Sequence, residues 1–412
     1  MTGIDRKKIG LILSGGGARA AYQVGVLKAI HKILPKDTQN PYDIIAGTSA
    51  GAINGVALAS YAEHHRIGLR HLERIWTGFS PELIYKTDFR SIIGALIRIA
   101  RTALIGRKYK NDRVSLLNNE PLRDLLGQMI KFDNIQKAID NGALHAISVT
   151  GSGIESGESV SFFQGHYSLT NWERHRRIGY RSNIGLEHLM ASSAIPMIFP
   201  SVKIHKEYYS DGAVRQLAPI SPALHLGAEK VLVIGVSGST DKKKKKKQFD
   251  SGYPTPAKIL GHMLNAAFLD SMETDVERLK RINRTVDLIP ESIQKKQEME
   301  LKPIELLEIK PSASMDEIAS RHAKELPKSI RMILGGNGKN GAGILSYLLF
   351  SRGFCNELIE LGYKDGMERK QEIETFFADH IPAKDIEPNG IKTKNTRSIG
   401  IRRKGIINKK SI

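Results

Sequence analysis

The sequence predicts an α/β fold in which helices cover the faces of a mostly parallel sheet, and three observations predict it. Over the first 240 residues, short apolar runs alternate with longer stretches of helical periodicity, as strands joined by crossover helices do. The run VLVIGV at 231–236 is apolar throughout, as a strand covered on both faces must be. Glycine-rich junctions at 14–19 and 47–51 each stand between an apolar run and a helical pattern.

In chain order, the first strand is Ile9–Leu13. Tyr22, Val26, Ile30, Ile33 and Leu34 then recur at helical spacing, and Pro35 follows the last of them. A second strand at Tyr42–Ala46 leads into a helix of small residues beginning at Ala52, and further strands are expected at Ala143–Thr150, Ser159–Phe163, Ser201–His205 and Lys230–Val236. After Ser239 the character changes. Lys242–Lys247 is a hexalysine run that stays solvated, and Pro254 and Pro256 mark turns. Helices are expected over 257–281, 314–333 and 342–378, with a strand at Ile304–Ile309. From Pro382 the composition degenerates: Ile391–Ile412 holds eight Lys or Arg and no acid, too little apolar surface to order itself. The expected organisation is therefore a core over 8–240, a Lys-rich loop over 241–256, a mainly helical part packed on the core over 257–381, and a basic tail over 382–412.

The 412 residues carry 62 Lys and Arg against 43 Asp and Glu, a net charge of +19, with 41% apolar residues. This composition is that of a soluble globular chain with room for a sizeable core. No stretch approaches the ~20 consecutive apolar residues of a spanning helix, and the five-residue run before Ser14 is too short for a signal peptide. The lone Cys355 excludes an internal disulfide or a thiolate zinc site and points to a reducing compartment. A cytoplasmic protein with peripheral contact at a membrane is the expectation. Its excess positive charge selects anionic partners: a phospholipid surface, nucleic acid or acidic substrates.

Two motifs carry chemistry. In Ser14-Gly15-Gly16-Gly17-Ala18-Arg19, backbone N–H groups at a helix start attract negative charge. Gly15, Gly17 and Ala20 fit a dinucleotide fingerprint, but the loop serves equally as an oxyanion hole. The fingerprint requires an acid about twenty residues on. The carboxylate near that distance is Asp37, in a polar turn. The second motif, Gly47-Thr48-Ser49-Ala50-Gly51, is G-x-S-x-G between a strand and a helix, where flanking glycines permit a turn that projects the serine hydroxyl. Such a serine needs a base. His205 and His225 lie in unremarkable strand and helix patterns, and Asp211, at a sharp turn in Tyr208-Tyr209-Ser210-Asp211-Gly212-Ala213, is the better candidate. By itself Asp-Gly is also an ordinary turn signal.

The blocks GGGARAAYQVGVL at 15–27, GTSAGA at 47–52, ASSAIPMIFP at 191–200 and DGA at 211–213, in this order, resemble the patatin-like phospholipase family. The likeness extends over about 8–378. It implies a three-layer α/β/α lipid acyl hydrolase that uses a Ser-Asp dyad, with Ser49 as nucleophile and Asp211 as base. Gly15, Gly16 and Gly17 match the oxyanion loop, and Arg19, Gly47, Gly51 and Gly212 match supporting positions. The third position of the acid block is Ala213, a variant the family accommodates. A phospholipid or lysophospholipid substrate is implied, without a metal or organic cofactor. The alternative is a catalytically silent basic membrane- or nucleic-acid-binding protein on the same scaffold, although no helix-turn-helix or aromatic-basic pattern for nucleic acid is present.

One further stretch is ambiguous. Apolar residues at 92, 93, 96, 97, 100, 103 and 104 make one helix face, and between Arg90 and Lys110 there are six Lys or Arg and no acid. Such a face packs on the protein's own core, lies in a lipid interface, or caps Ser49 as a movable cover.

Overall fold

The central strands are buried along their whole length, and their side chains alternate between two hydrophobic cores, which decides the architecture. In strand β1 (Ile9–Leu13), Ile9, Leu11 and Leu13 enter one hydrophobic core while Ile12 enters a second core on the opposite face. Nine more strands follow: β2 (Ile44–Thr48), β3 (Ala146–Gly153), β4 (Ser159–Gly165), β5 (Trp172–Arg174), β6 (Arg177–Arg181), β7 (Val202–Ile204), β8 (Glu207–Asp211), β9 (Lys230–Ile234) and β10 (Glu305–Ile309). In β9, Leu232 and Ile234 face the first core and Val231 and Val233 the second. The sheet is therefore the middle of three layers. The structure, a computed structural model, describes residues 6–88, 90–95, 97–98, 115–238, 253, 255–290, 293, 301–333 and 342–380. The hexalysine run, Leu96, 99–105 and the basic tail lie outside them.

The thicker outer layer carries α1 (Ala21–Ile33), α2 (Ala50–Ala59), α3 (His65–Thr77), α4 (Glu120–Met129), α5 (Asp133–Asp140) and α6 (Leu186–Ser192). The thinner one is built on α7 (Ser221–His225) and, after α8 (Pro256–Asn265), on α9 (Ser271–Asp287). Farther along, α10 (Met315–Arg321), α11 (Lys328–Ile333), α12 (Ala342–Leu348), α13 (Arg352–Glu368) and α14 (Lys370–Phe376) return to the thicker layer. The α1 Tyr22 hydroxyl donates to Asp365 of α13 at 2.9 Å, and Ser312 donates to the same carboxylate. No helix among the described residues is long and apolar enough to cross a membrane.

The sheet order is β10-β9-β1-β2-β3-β4-β6-β5. The run from β10 to β3 is parallel, but β4 and β8 join β3 antiparallel, so the sheet is mixed beyond its centre. The sequence reading did not mark β5, β6 or β8. Each is short, with a partly exposed face, and is held by pairing with its neighbours. Two strands start later than their apolar runs. At 143–145 the backbone closes α5, since the N–H groups of Ala143 and Leu144 both donate to Ala138 O. The second strand is Ile44–Thr48, which carries Gly47 and Thr48 into the sheet. The expected helix over 314–333 is interrupted by a 3-10 turn at Ala323–Glu325, the one over 342–378 is divided at 349–351 and Arg369, and a π-helical turn at Ala266–Asp270 joins α8 to α9. In the ambiguous stretch, the described part has Ile92 and Ala95 buried in the protein and Ile93 and Ile97 about half exposed, so the single expected face divides.

Candidate active site

Ser49 stands at the carboxyl end of β2, where crevices of parallel sheets form. Its backbone adopts φ 55°, ψ −131°, a left-handed conformation uncommon for a residue with a side chain. Two interactions stabilise this elbow. Ser49 N–H donates to Ser192 Oγ at 2.8 Å, and Ser192 Oγ in turn donates to Thr150 O at 2.6 Å. The following helix runs hard against β1: a Cβ on Gly51 would stand 2.2 Å from Leu13 O. Gly47 lies in β2 beneath the same turn, against the backbone of Ala52.

The register of the sheet brings Asp211 to this point. Thr48 of β2 pairs with Thr150 of β3, and where β2 turns away at Ser49, β8 takes over the same edge, with Asp211 opposite Gly151. Asp211 N–H donates to Ala194 O at 2.8 Å, so 192–194 ties the serine strand to the acid strand. Gly212 O accepts from Ser152 Oγ, and Gln216 bridges Thr48 and Thr150 behind it. Both Ser49 and Asp211 are buried. Asp211 Oδ1 accepts from Ala213 N–H at 3.0 Å, while Oδ2 has no directed hydrogen bond among the described residues. Burial pushes this carboxyl up to about 7, opposed by the nearby Ser49 hydroxyl and by the Ala213 N–H.

The glycine loop faces the serine. A Cβ on Gly15 would lie 3.0 Å from Ser49 Cβ, and the Phe268 ring of the π-helical turn covers that glycine from outside. Gly17 has φ 54°, and a Cβ there would meet Tyr347 O at 2.2 Å; both facts require glycine. Gly16 precedes the 3-10 turn Gly17–Ala20 and packs on Val236. Arg19 is directed away from Ser49. Its buried guanidinium donates to Asp316 Oδ1 at 2.7 Å and to Ser346 Oγ at 2.8 and 2.9 Å, and lies over the Tyr347 ring. The loop is thus fastened from outside by α10 and α12. Asp37 follows α1 and precedes β2, at the amino ends of the strands and thus away from the glycine loop at their carboxyl ends, which removes the acid a dinucleotide fingerprint needs there.

From Ser49 an almost wholly apolar cleft leads between α2, α3 and α4, lined by residues including Ile53, Trp76, Phe79, Leu126, Phe199 and Phe350. Its cavity volume of about 30 Å³ has room for roughly one water, so a longer occupant must spread the side chains. Trp76 stacks on Phe350 and Phe79 meets both edge-on, with ring centroids 4.8 to 6.2 Å apart. A buried polar chain fixes this wall to the glycine loop. Trp76 Nε1 donates to Asn54, Asn54 to Gln23, and Gln23 to Ser14 O.

Sequence reasoning missed Ser192, Gln23, Asn54 and Trp76 as parts of this arrangement. Ser192 lies in the ASSAIPMIFP block and Gln23 in the block at 15–27, which are the available signals, whereas Asn54 and Trp76 read as ordinary helix residues. The two histidines considered as bases are elsewhere. His205 is exposed in the β7–β8 turn, and His225 bonds to Ser221 and stacks on Trp172 beside the thinner layer. His188 is on α6, but its ring is engaged by Ser182 and Gly185, and burial lowers it to about 4. Among the described residues no group of three or more His, Cys, Asp or Glu is gathered to hold a metal ion.

Comparison with known proteins gives a match of residues 11–224 to the family described as patatin-like phospholipase. Lysophospholipase nte1 of Aspergillus terreus is 47% identical over 57 residues, 14% of this chain and 3% of that protein. Patatin-like phospholipase domain-containing protein 7 of Rattus norvegicus is 42% identical over 62 residues, 15% of this chain and 4% of that protein. The matched segments thus span a small fraction of those relatives' length. Among solved structures, VipD from Legionella pneumophila aligns at 13% identity with a TM-score of 0.34, covering 89% of this chain and 67% of that one. Human GIVD cytosolic phospholipase A2, solved in complex with methyl gamma-linolenyl fluorophosphonate, aligns at 15% identity with a TM-score of 0.39, covering 91% and 60%.

Proposed function

This chain belongs to the patatin-like phospholipase family, and from that premise we propose that it hydrolyses carboxylic esters of lipids, in the manner of a phospholipase A or lysophospholipase, through Ser49 and Asp211. The observation that carries the reading is a buried carboxyl one register step beyond the serine elbow, with Oδ2 lacking a directed partner. Ionised Asp211 accepts the Ser49 proton as the serine oxygen attacks the ester carbonyl. Charge then develops on the carbonyl oxygen beside the Gly15–Gly17 loop, whose fixed N–H dipoles stabilise it in a buried site. The alkoxide leaves with the proton held by Asp211. A water then attacks the acyl-Ser49 carbonyl and gives its proton to Asp211; the acyl–Oγ bond breaks, Ser49 Oγ takes the proton back from Asp211, and the fatty acid leaves. No step calls for a metal or organic cofactor.

The apolar cleft beside Ser49 supports an acyl chain as the bound part of the substrate, and the names of the similar proteins support a lysophospholipid or phospholipid as the class. The net charge of +19 supports docking at an anionic lipid surface. Ser49→Ala protein should then sediment with anionic vesicles and not with neutral ones, and lose binding as salt rises. The function itself is tested with a fluorophosphonate probe and a lipid panel read by mass spectrometry. Labelling should map to Ser49, and free fatty acid should appear from glycerolipid esters. Full hydrolysis by Ser49→Ala would overturn the reading.

A further inference from the structure

Ser193 is buried at 6% exposure and lines the cleft together with Ser49, and its Oγ has no hydrogen-bond partner among the described residues. Its backbone is fully used, with N–H donating to Leu189 O at 3.0 Å and C=O accepting from Ile195 N–H at 2.9 Å. The hydroxyl of Ser192 beside it is committed on both sides, to Ser49 N–H and Thr150 O. The remaining polar side-chain atom on the cleft wall, Trp76 Nε1, is engaged by Asn54. Ser193 therefore presents a desolvated hydroxyl that the fold does not pair, and an orphan of this kind costs free energy until something bonds to it.

We infer that Ser193 is a substrate-binding residue whose hydroxyl hydrogen-bonds an oxygen of the scissile ester. This rests on the reading of Ser49 as nucleophile. An acyl chain carries no acceptor along its methylenes, so the oxygen that reaches a hydroxyl near Ser49 in this apolar cleft belongs to the ester being cleaved. The bound ester satisfies a group that is unsatisfied in the free protein, and that is a gain in specificity for an ester over a bare hydrocarbon.

The test compares wild type, Ser193→Ala and Ser193→Cys on p-nitrophenyl decanoate and on a monoacyl phosphatidylcholine, with Tm measured for each. For Ser193→Ala, kcat/KM should fall roughly ten- to a hundredfold on both substrates. Tm should stay unchanged or rise, because a buried unpaired group has been removed. Ser193→Cys, nearly isosteric but a weaker donor, should be intermediate. Wild-type kcat/KM in Ser193→Ala overturns the inference. So does a loss accompanied by a Tm drop of several degrees in both variants, which would make the hydroxyl structural. A loss confined to the glycerolipid also overturns it, since the partner would then be a glycerol hydroxyl. Fluorophosphonate labelling of Ser49 is run in parallel: labelling elsewhere defeats the nucleophile reading, whereas labelling at Ser49 with an unaffected Ser193→Ala defeats this inference alone.

Discussion

Replacing Asp211 by Asn should abolish turnover and at the same time stabilise the protein at alkaline pH, a combination that follows from burial of this carboxyl. The amide is nearly isosteric, still accepts from Ala213 N–H through its oxygen, and cannot take a proton from Ser49. Burial raises the carboxyl from its ordinary 3.8 to about 7. At about 1.36 kcal/mol per pH unit this corresponds to a penalty on the ionised native state of about 4 kcal/mol at most. The sign is that of a raised acid: the native state holds the proton more tightly than the unfolded chain. Stability is thus highest below about pH 4 as far as this group is concerned, declines as pH rises towards 7, and is level above it. Asp211→Asn lacks that decline. Urea unfolding of wild type and variant at pH 5 and pH 8.5 should therefore show the variant's advantage widening with pH. With Asp211 acting as the proposed base in its ionised form, wild-type kcat/KM on a soluble ester should rise with pH to a plateau above about 7. A variant no more stable than wild type at pH 8.5, or a wild-type rate that falls across pH 6 to 8, would refute the reasoning.

Ser192→Ala should leave the Ser49 N–H unpaired, lower stability by about 1–3 kcal/mol and reduce kcat, checked by urea unfolding and steady-state kinetics. Arg19→Met should cost about 2 kcal/mol, since Asp316 and Ser346 lose their shared donor, and should appear as a lower urea midpoint with an unchanged m-value. Phe350→Ala should cost about 3–5 kcal/mol and, by opening the aromatic wall of the cleft, move the preference in a series of esters towards longer or bulkier acyl chains. His205→Ala and His225→Ala should leave the rate on a soluble ester close to wild type, because neither ring lies among the groups around Ser49.

What the sequence determined by itself was local. The strand-turn-helix at Gly47–Gly51 and the glycine loop at Gly15–Gly17 are legible because φ near 55° and close backbone approach demand particular residues at particular spacings, whatever surrounds them. The apolar run of β9 declared a strand covered on both faces. What the tertiary structure decided was which distant groups meet. Asp-Gly at 211–212 is an ordinary turn until β8 pairs with β3 on the edge that β2 has left, with Ser152 and Gly212 joined across 60 residues. Arg19 belongs by position to the glycine loop, yet its charge is used 297 and 327 residues away, at Asp316 and Ser346. Short-range backbone geometry is written in glycine and periodicity. A buried polar group instead takes whichever partner packing brings within reach, and that depends on the whole chain.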